Sequence, residues 1–217
     1  MAVTTNIKRK KKSWVAMYAP NYLNKAFLGE TLTADRQAVV GKTLTLNLSI
    51  FTKDMKKQST DVTFKVKSVV ENNALTDVVG VSLTNSYIKR LVRRGKSKVE
   101  DSFEVTCKDN SKLRLKPIVV TNNVVNQSIT TKIRHIVKEQ LTELVKSNSA
   151  QGFFEILFKQ KAQKELKDKL SKVYPLRYVD LRVAKLVFSE NQPEELEVEK
   201  ESVEEESKEE KAKVVEK

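Results

Sequence analysis

His135 and Cys107 are the only histidine and the only cysteine in the chain. Nucleophilic chemistry of the histidine-assisted kind would therefore run through one imidazole. That imidazole lies in TKIRHIVKE, a stretch of helical period rich in cations. An exposed or polyanion-facing side chain is the simpler reading there than a general base. Cys107 alone excludes an internal disulfide and a cysteine-built zinc site. Gly41-Lys42-Thr43 matches the end of a phosphate-binding loop, but the first glycine of that pattern would fall at position 36, which is Arg36. Without the glycine cradle the backbone cannot wrap a phosphate. Asp54, Asp61 and Asp77 are scattered among strand-like and turn-like stretches. The chemistry that remains is electrostatic.

The cations fall in clusters. The first is Lys8, Arg9, Lys10, Lys11 and Lys12, followed almost at once by Trp14. A basic arm can enter grooves closed to a rigid domain, and an aromatic beside it can stack on a base. The second is KRLVRRGKSK: Lys89, Arg90, Arg93, Arg94, Lys96 and Lys98, with no acid until Glu100. A merely solvated face usually mixes signs, so this run reads as a phosphate-binding ridge. On a helix, 89 and 93 would share one row and 90 and 94 another. Arginine also suits bidentate contact with phosphate. A third cluster, Lys132, Arg134, His135 and Lys138, is diluted by Glu139 and Glu143. Glu165 and Asp168 interleave with the lysines from 159 to 172, so that series fits a solvated helix face and contact with RNA equally well. Lys112, Arg114 and Lys116 alternate on one strand face, either to solvent or to a polyanion.

The overall balance agrees. The 217 residues carry a formal charge of +13, unevenly spread. Residues 190–217 hold 12 acidic and 5 basic residues, which leaves 36 basic and 16 acidic residues upstream, a net of +20. A domain this basic attracts polyanions, and counterion release drives the association. No apolar run is long enough to span a membrane, and the basic start lacks the apolar stretch of a secretory signal.

These residues need elements to position them. Residues 1–13 read as a flexible basic arm. The stretch SWVAMYAPNYLNKAFLGETL is expected to pack as a short helical or irregular strap. Thr43 to Ile50 alternates strictly and predicts a half-buried strand. Asp61 to Val70 predicts a second strand, and Ala74 to Leu83 a third with a bulge at Gly80. Thr84 is placed to cap a helix over Asn85–Arg94, closed by Gly95. Val99–Lys108 and Lys112–Val120 form a hairpin around Asp109-Asn110, with Pro117 marking an edge or a bulge. Helices follow over Ile129–Lys146 and Phe153–Val173, the latter stopped by Pro175. Leu176–Phe188 closes the domain as a strand with Val179, Leu181 and Val183 inward. The fold class is α+β: a curved antiparallel β-sheet or barrel with C-terminal helices, in one domain over residues 14–189. Residues 190–217 form an acidic low-complexity tail.

The residues also carry a resemblance. KSWVAMYAPNYLNKAFLGETL resembles the opening of the archaeal/eukaryotic small-subunit ribosomal protein family S-three-a-e, also called eS-one. The shared points are the basic run to Lys12, Trp14, Pro20 and Leu28-Gly29-Glu30-Thr31. The stretch from Phe64 to Thr121 is similar to that family's order of strand, turn, strand, basic helix and hairpin. VYPLRYVDLRVAKL resembles its closing strand. GKTLTLNLS at Gly41 to Ser49 departs from the eukaryotic signature, so the likeness is to an archaeal-type member.

This resemblance implies a cytoplasmic structural constituent of the small ribosomal subunit, not an enzyme. It implies rRNA binding on the platform near the mRNA exit region. The implied partners are small-subunit rRNA, neighbouring small-subunit ribosomal proteins of the platform, and mRNA near the exit. It implies no cofactor, no metal, no membrane and no small-molecule substrate. The residues expected on RNA are Lys8, Arg9, Lys10, Lys11, Lys12, Trp14, Lys89, Arg90, Arg93, Arg94, Lys96, Lys98, Lys132, Arg134 and His135.

Overall fold

The structure is a computed structural model that describes residues 11–187. Alternation of apolar and polar side chains builds the early half. Strand β1 (Ser13–Tyr18) buries Val15 and Met17 and turns Trp14, Ala16 and Tyr18 outward. It pairs antiparallel with β2 (Phe27–Thr33). The expected strap is thus a β-hairpin, because the two-residue period holds through an aromatic-rich stretch with few charges. Its connection turns sharply through Asn24 and Lys25, both left-handed (φ 59° and 48°).

Strand β3 spans Thr43–Asn47 and not the expected eight residues, and helix α1 (Leu48–Thr52) follows it. Asn47 makes the switch. Its Oδ1 accepts from the Ser49 N–H at 3.1 Å and its Nδ2 donates to the Asp61 carboxylate at 3.0 Å. An amide side chain that satisfies the first turn favours a helix start over a continued ladder. Ile50, expected inward, is exposed.

The long strands β4 (Thr60–Val70) and β5 (Asn73–Leu83) form the central hairpin. Thr63 pairs with Gly80 and Phe64 with Val78, so Val79 is the extra residue of a bulge beside the expected Gly80. Helix α2 covers Asn85–Leu91. Thr84 stands at its N-cap with extended dihedrals, but its side chain makes no capping bond. The helix ends three residues before the expected Arg94, at an extended Val92. Continuing it would stack Lys89 over Arg93 and Arg90 over Arg94, and like charges at that spacing oppose a helix.

Strands β6 (Lys98–Glu100) and β7 (Phe103–Thr106) both pair with β8 (Lys112–Thr121) in one register, since Glu100 faces Ile118 and Phe103 faces Leu115. The break at Asp101-Ser102 lies opposite Lys116 and Pro117, where the proline lacks an N–H to donate. Pro117 therefore interrupts a ladder inside the sheet and does not mark an edge.

Helix α3 (Gln127–Ser147) buries Thr130, Ile133, Val137, Leu141 and Val145 at helical spacing. The helix expected over Phe153–Val173 is instead two, α4 (Ala150–Phe158) and α5 (Lys161–Ser171). They break at a left-handed Gln160 (φ 56°). The apolar residues recur every four positions from Phe154 to Leu170. On one straight helix that stripe would drift by roughly 160°. The break re-aims it, so that Phe154, Phe158, Leu166 and Leu170 all enter the main core.

Among the described residues strand β9 (Leu176–Val187) completes a nine-stranded sheet of order β2-β1-β5-β9-β8-β6, with β3 and β4 continuing from β5. The sheet is open and not a barrel. It is mixed, because β1 runs parallel to β5. The main core lies where α3–α5 pack on one face. A second cluster of Leu83, Ile88, Leu91, Ile118 and Val120 packs with Tyr87, Val92 and Tyr178. The inward alternation expected in β9 fails: Leu181 and Ala184 are buried, whereas Val179 and Val183 are half-buried.

Asp180, expected outward, is held within the fold. Its Oδ1 accepts from the Leu181 N–H at 2.8 Å and from Gln163 Nε2 at 3.5 Å, while the buried Oε1 of Gln163 has no partner. Burial raises the Asp180 carboxyl above its ordinary range, opposed by those two bonds. A raised folded value means the native state holds the proton after the unfolded chain releases it, near about pH 3.9. Its contribution to stability is therefore fullest below that pH. It falls as pH rises through the folded value and stays low at neutrality. Asp180→Asn keeps the acceptor and adds a donor for Gln163 Oε1. We expect it to stabilise the protein by about 1 kcal/mol at pH 7, with no gain at pH 3. Denaturant melts at the two pH values check this, and equal shifts at both would contradict it.

Candidate nucleic-acid interface

The second cluster of cations is divided among three local structures. Lys89 and Arg90 sit on the last turn of α2, Arg93 and Arg94 in the turn after it, and Lys96 and Lys98 on the approach to and start of β6. The helical rows expected for 89/93 and 90/94 do not form. All are exposed except Lys96, which is half-buried.

One residue joins that sequence reading had passed over. Arg177, near the start of β9, lies close enough to Lys96 to act on its charge. The Lys96 ammonium is held below its ordinary value, first by loss of surrounding water and then by the charges of Arg177 and Arg93; Tyr178 acts the other way. The structure thus gathers Arg93, Lys96 and Arg177 from a turn, a loop and a strand about eighty positions away in the chain. Among the described residues none of the three has a carboxylate partner in an ion pair. The signal that could have found Arg177 was its place in Pro-Leu-Arg-Tyr, directly before Tyr178.

Aromatic rings hold two of the guanidiniums. Arg90 lies over Tyr87 at 5.8 Å and Arg177 over Tyr178 at 5.5 Å from the ring centroids. Tyr87 and Tyr178 both pack on the second hydrophobic cluster, so the fold restrains these cations before any ligand arrives. Lys98 differs. Its Nζ pairs with Glu100 at 3.0 Å, and Arg182 reaches the same carboxylate at 3.5 Å. Arg114 is likewise paired with Glu104 at 2.6 Å. These cations are partly neutralised within the fold.

Lys132, Arg134 and His135 stand exposed on α3, opposite its buried stripe. Among the described residues no hydrogen bond or ion pair links them to the Arg93–Lys96–Arg177 group. Lys11 and Lys12 are exposed ahead of β1, and Trp14 on that strand is 60% exposed. Lys8, Arg9 and Lys10, like the acidic tail from residue 190, lie outside the described residues. Cys107 is buried, and burial pushes its thiol up against a weaker downward pull from Ser111. That is the opposite of an activated nucleophile. Among the described residues no group of three or more acidic, histidine or cysteine side chains could hold a metal, and no helix is long and apolar enough to cross a membrane.

A group of unpaired cations, with Arg177 steadied by Tyr178, concentrates positive charge on one part of this mixed α+β sheet. Comparison with known sequences gives the class. The model of the Ribosomal S3Ae family matches residues 4–189, and the chain belongs to that family. The chain is 35% identical over 178 residues to the small ribosomal subunit protein eS1 of Archaeoglobus fulgidus, covering 81% of this chain and 84% of that protein. It is 30% identical over 193 residues to the eS1 protein of Halorubrum lacusprofundi, at 89% and 88% coverage. Against that of Saccharolobus islandicus it is 30% identical over 184 residues, at 85% and 88%. The chain is thus a structural ribosomal protein of the small-subunit type, with a part in translation, and not an enzyme.

Proposed function

We propose that the chain is a structural constituent of the small ribosomal subunit that binds rRNA through the cations around α2 and β9. The observation that carries this reading is the Arg93–Lys96–Arg177 group. Three cations held together without a carboxylate repel one another, and a phosphate backbone relieves that repulsion while releasing its own counterions. Arg90, steadied by Tyr87, extends the group, and Lys89 and Arg94 flank it. Arginine supplies two parallel donors to one phosphate. Lys11 and Lys12, with the basic run before them, and the α3 cations Lys132, Arg134 and His135 make secondary contacts. The position is the platform near the mRNA exit region in the cytoplasmic ribosome, beside neighbouring small-subunit proteins and with mRNA in reach; the family resemblance supports this placement.

Sedimentation tests the proposal. The tagged chain, expressed in a related archaeon, is expected to co-sediment with small subunits after a moderate salt wash. Release of nearly all of it into the free fraction would make it an assembly or RNA-handling factor that acts off the ribosome.

A further inference from the structure

The sheet face turned away from α3–α5 carries an apolar patch that no element of the described structure covers. Strand pairing fixes its layout in three rows. Trp14 stands beside Leu32; Glu30, Ala16, Asn73 and Val70 form the next row; Phe27, Tyr18, Leu75 and Ser68 form the third. Trp14, Phe27, Leu32, Leu75 and Val70 are between 44% and 60% exposed, and the Tyr18 and Phe27 rings meet edge to face at 6.0 Å. Contiguous exposed apolar surface of this kind marks an interaction site.

The patch also borders an open sheet edge. Strand β2 pairs only with β1 among the described residues, which leaves its outer backbone groups free. Nothing along β2 protects that edge by charge except Glu30, since FLGETLT contains no lysine, arginine or proline. A bulge at Leu28 interrupts its register, but the stretch from Gly29 to Thr33 is regular, and a sheet edge of that kind is a template for another strand.

Two kinds of occupant could take aromatic side chains, and the charges distinguish them. The exposed Lys11, Lys12 and Lys25 lie in the segments before β1 and β2; within the two strands the sole charged side chain is the exposed Glu30 carboxylate at the centre of the patch. A carboxylate there repels phosphate, and leucine and valine offer no stacking surface to a base. Aromatic anchors with aliphatic neighbours around one charge are instead the composition of a protein contact.

We infer that this face docks an extended segment of another small-subunit protein. The segment adds as a strand along β2, sets alternate apolar side chains on Trp14, Leu32 and Phe27, and carries a lysine or arginine against Glu30. Trp14, expected from the sequence to meet a base, then belongs to a protein contact. The inference rests on the ribosomal reading above.

Site-directed photo-crosslinking tests it. A benzophenone amino acid replaces Phe27 or Leu32 in one tagged chain and Arg94 in another, and each is assembled into small subunits. Positions 27 and 32 are expected to crosslink to one other small-subunit protein, at a segment with a lysine or arginine within about two residues of the crosslinked site. Position 94 is expected to crosslink to rRNA. Glu30→Lys should cut the yield at position 32 by about tenfold, with the melting temperature of the free protein unchanged. Crosslinks from 27 and 32 to RNA, or none while position 94 reacts, would overturn the inference and leave the ribosomal role standing. Failure of all the tagged chains to enter small subunits would overturn that role itself.

Discussion

Reversing Arg93 and Arg94 to Glu will lower affinity for small-subunit rRNA by about a hundredfold or more. Each removes a charge-assisted contact of about 1.5–3 kcal/mol and adds a repulsion. The dependence of affinity on salt will also flatten, with the log–log slope shallower by about two. Arg177→Glu should act in the same direction, because that guanidinium sits with Arg93 and Lys96. Lys98→Glu should do far less, since Lys98 already spends its charge on Glu100. Filter binding or anisotropy across a salt series measures all of these. The exposed positions of Arg93 and Arg94 predict an unchanged melt. Equal losses for Lys98 and Arg93 would mean that net charge, and not the cluster, governs binding.

Gly80→Val will cost about 2–3 kcal/mol of stability, a fall of about 4–12 °C in melting temperature for a domain of this size. Strand β9 passes so close to β5 at this point that a Cβ on Gly80 would lie 2.8 Å from Lys185 Cγ and 3.3 Å from the Ala184 carbonyl oxygen. Gly80 pairs directly with Lys185, so the added side chain pushes β9 off its neighbour. The disturbed strand is the one that carries Arg177. RNA affinity should therefore fall as well, although Gly80 and Arg177 lie 97 positions apart in the chain. Calorimetry and binding on one preparation test both parts, and a melting temperature within 1 °C of the parent's would refute the steric account.

Where side-chain period and burial agree, the fold was readable from the residues. The alternation through Val62, Phe64 and Val66 and the stripe from Ile133 to Val145 both appear as expected. The departures came from effects that periodicity does not encode. Asn47 turned the end of an alternating run into a helix cap. Gln160 broke one expected helix in two, because a four-residue stripe cannot stay on one side of a straight helix. Asp180 looked like an outward residue of an alternating strand but is drawn in by Gln163, whose contact depends on how α5 lies on the sheet. The candidate site was legible at Arg93, Arg94 and Lys96, where the cations are adjacent in the chain. Arg177 was not, because only the sheet brings it to them.

The place of β9 in the sheet bears on how the protein is made. It is the last strand among the described residues, yet it lies between β5 and β8 and not at an edge. A nascent chain that has emerged only through α5 holds two unsatisfied strand edges facing a gap, and its cation group lacks Arg177. The closing strand fills the gap and delivers that arginine in one step. The proposed RNA site is thereby tied to the arrival of β9, and a product truncated before that strand lacks both the closing strand of the sheet and the arginine it carries.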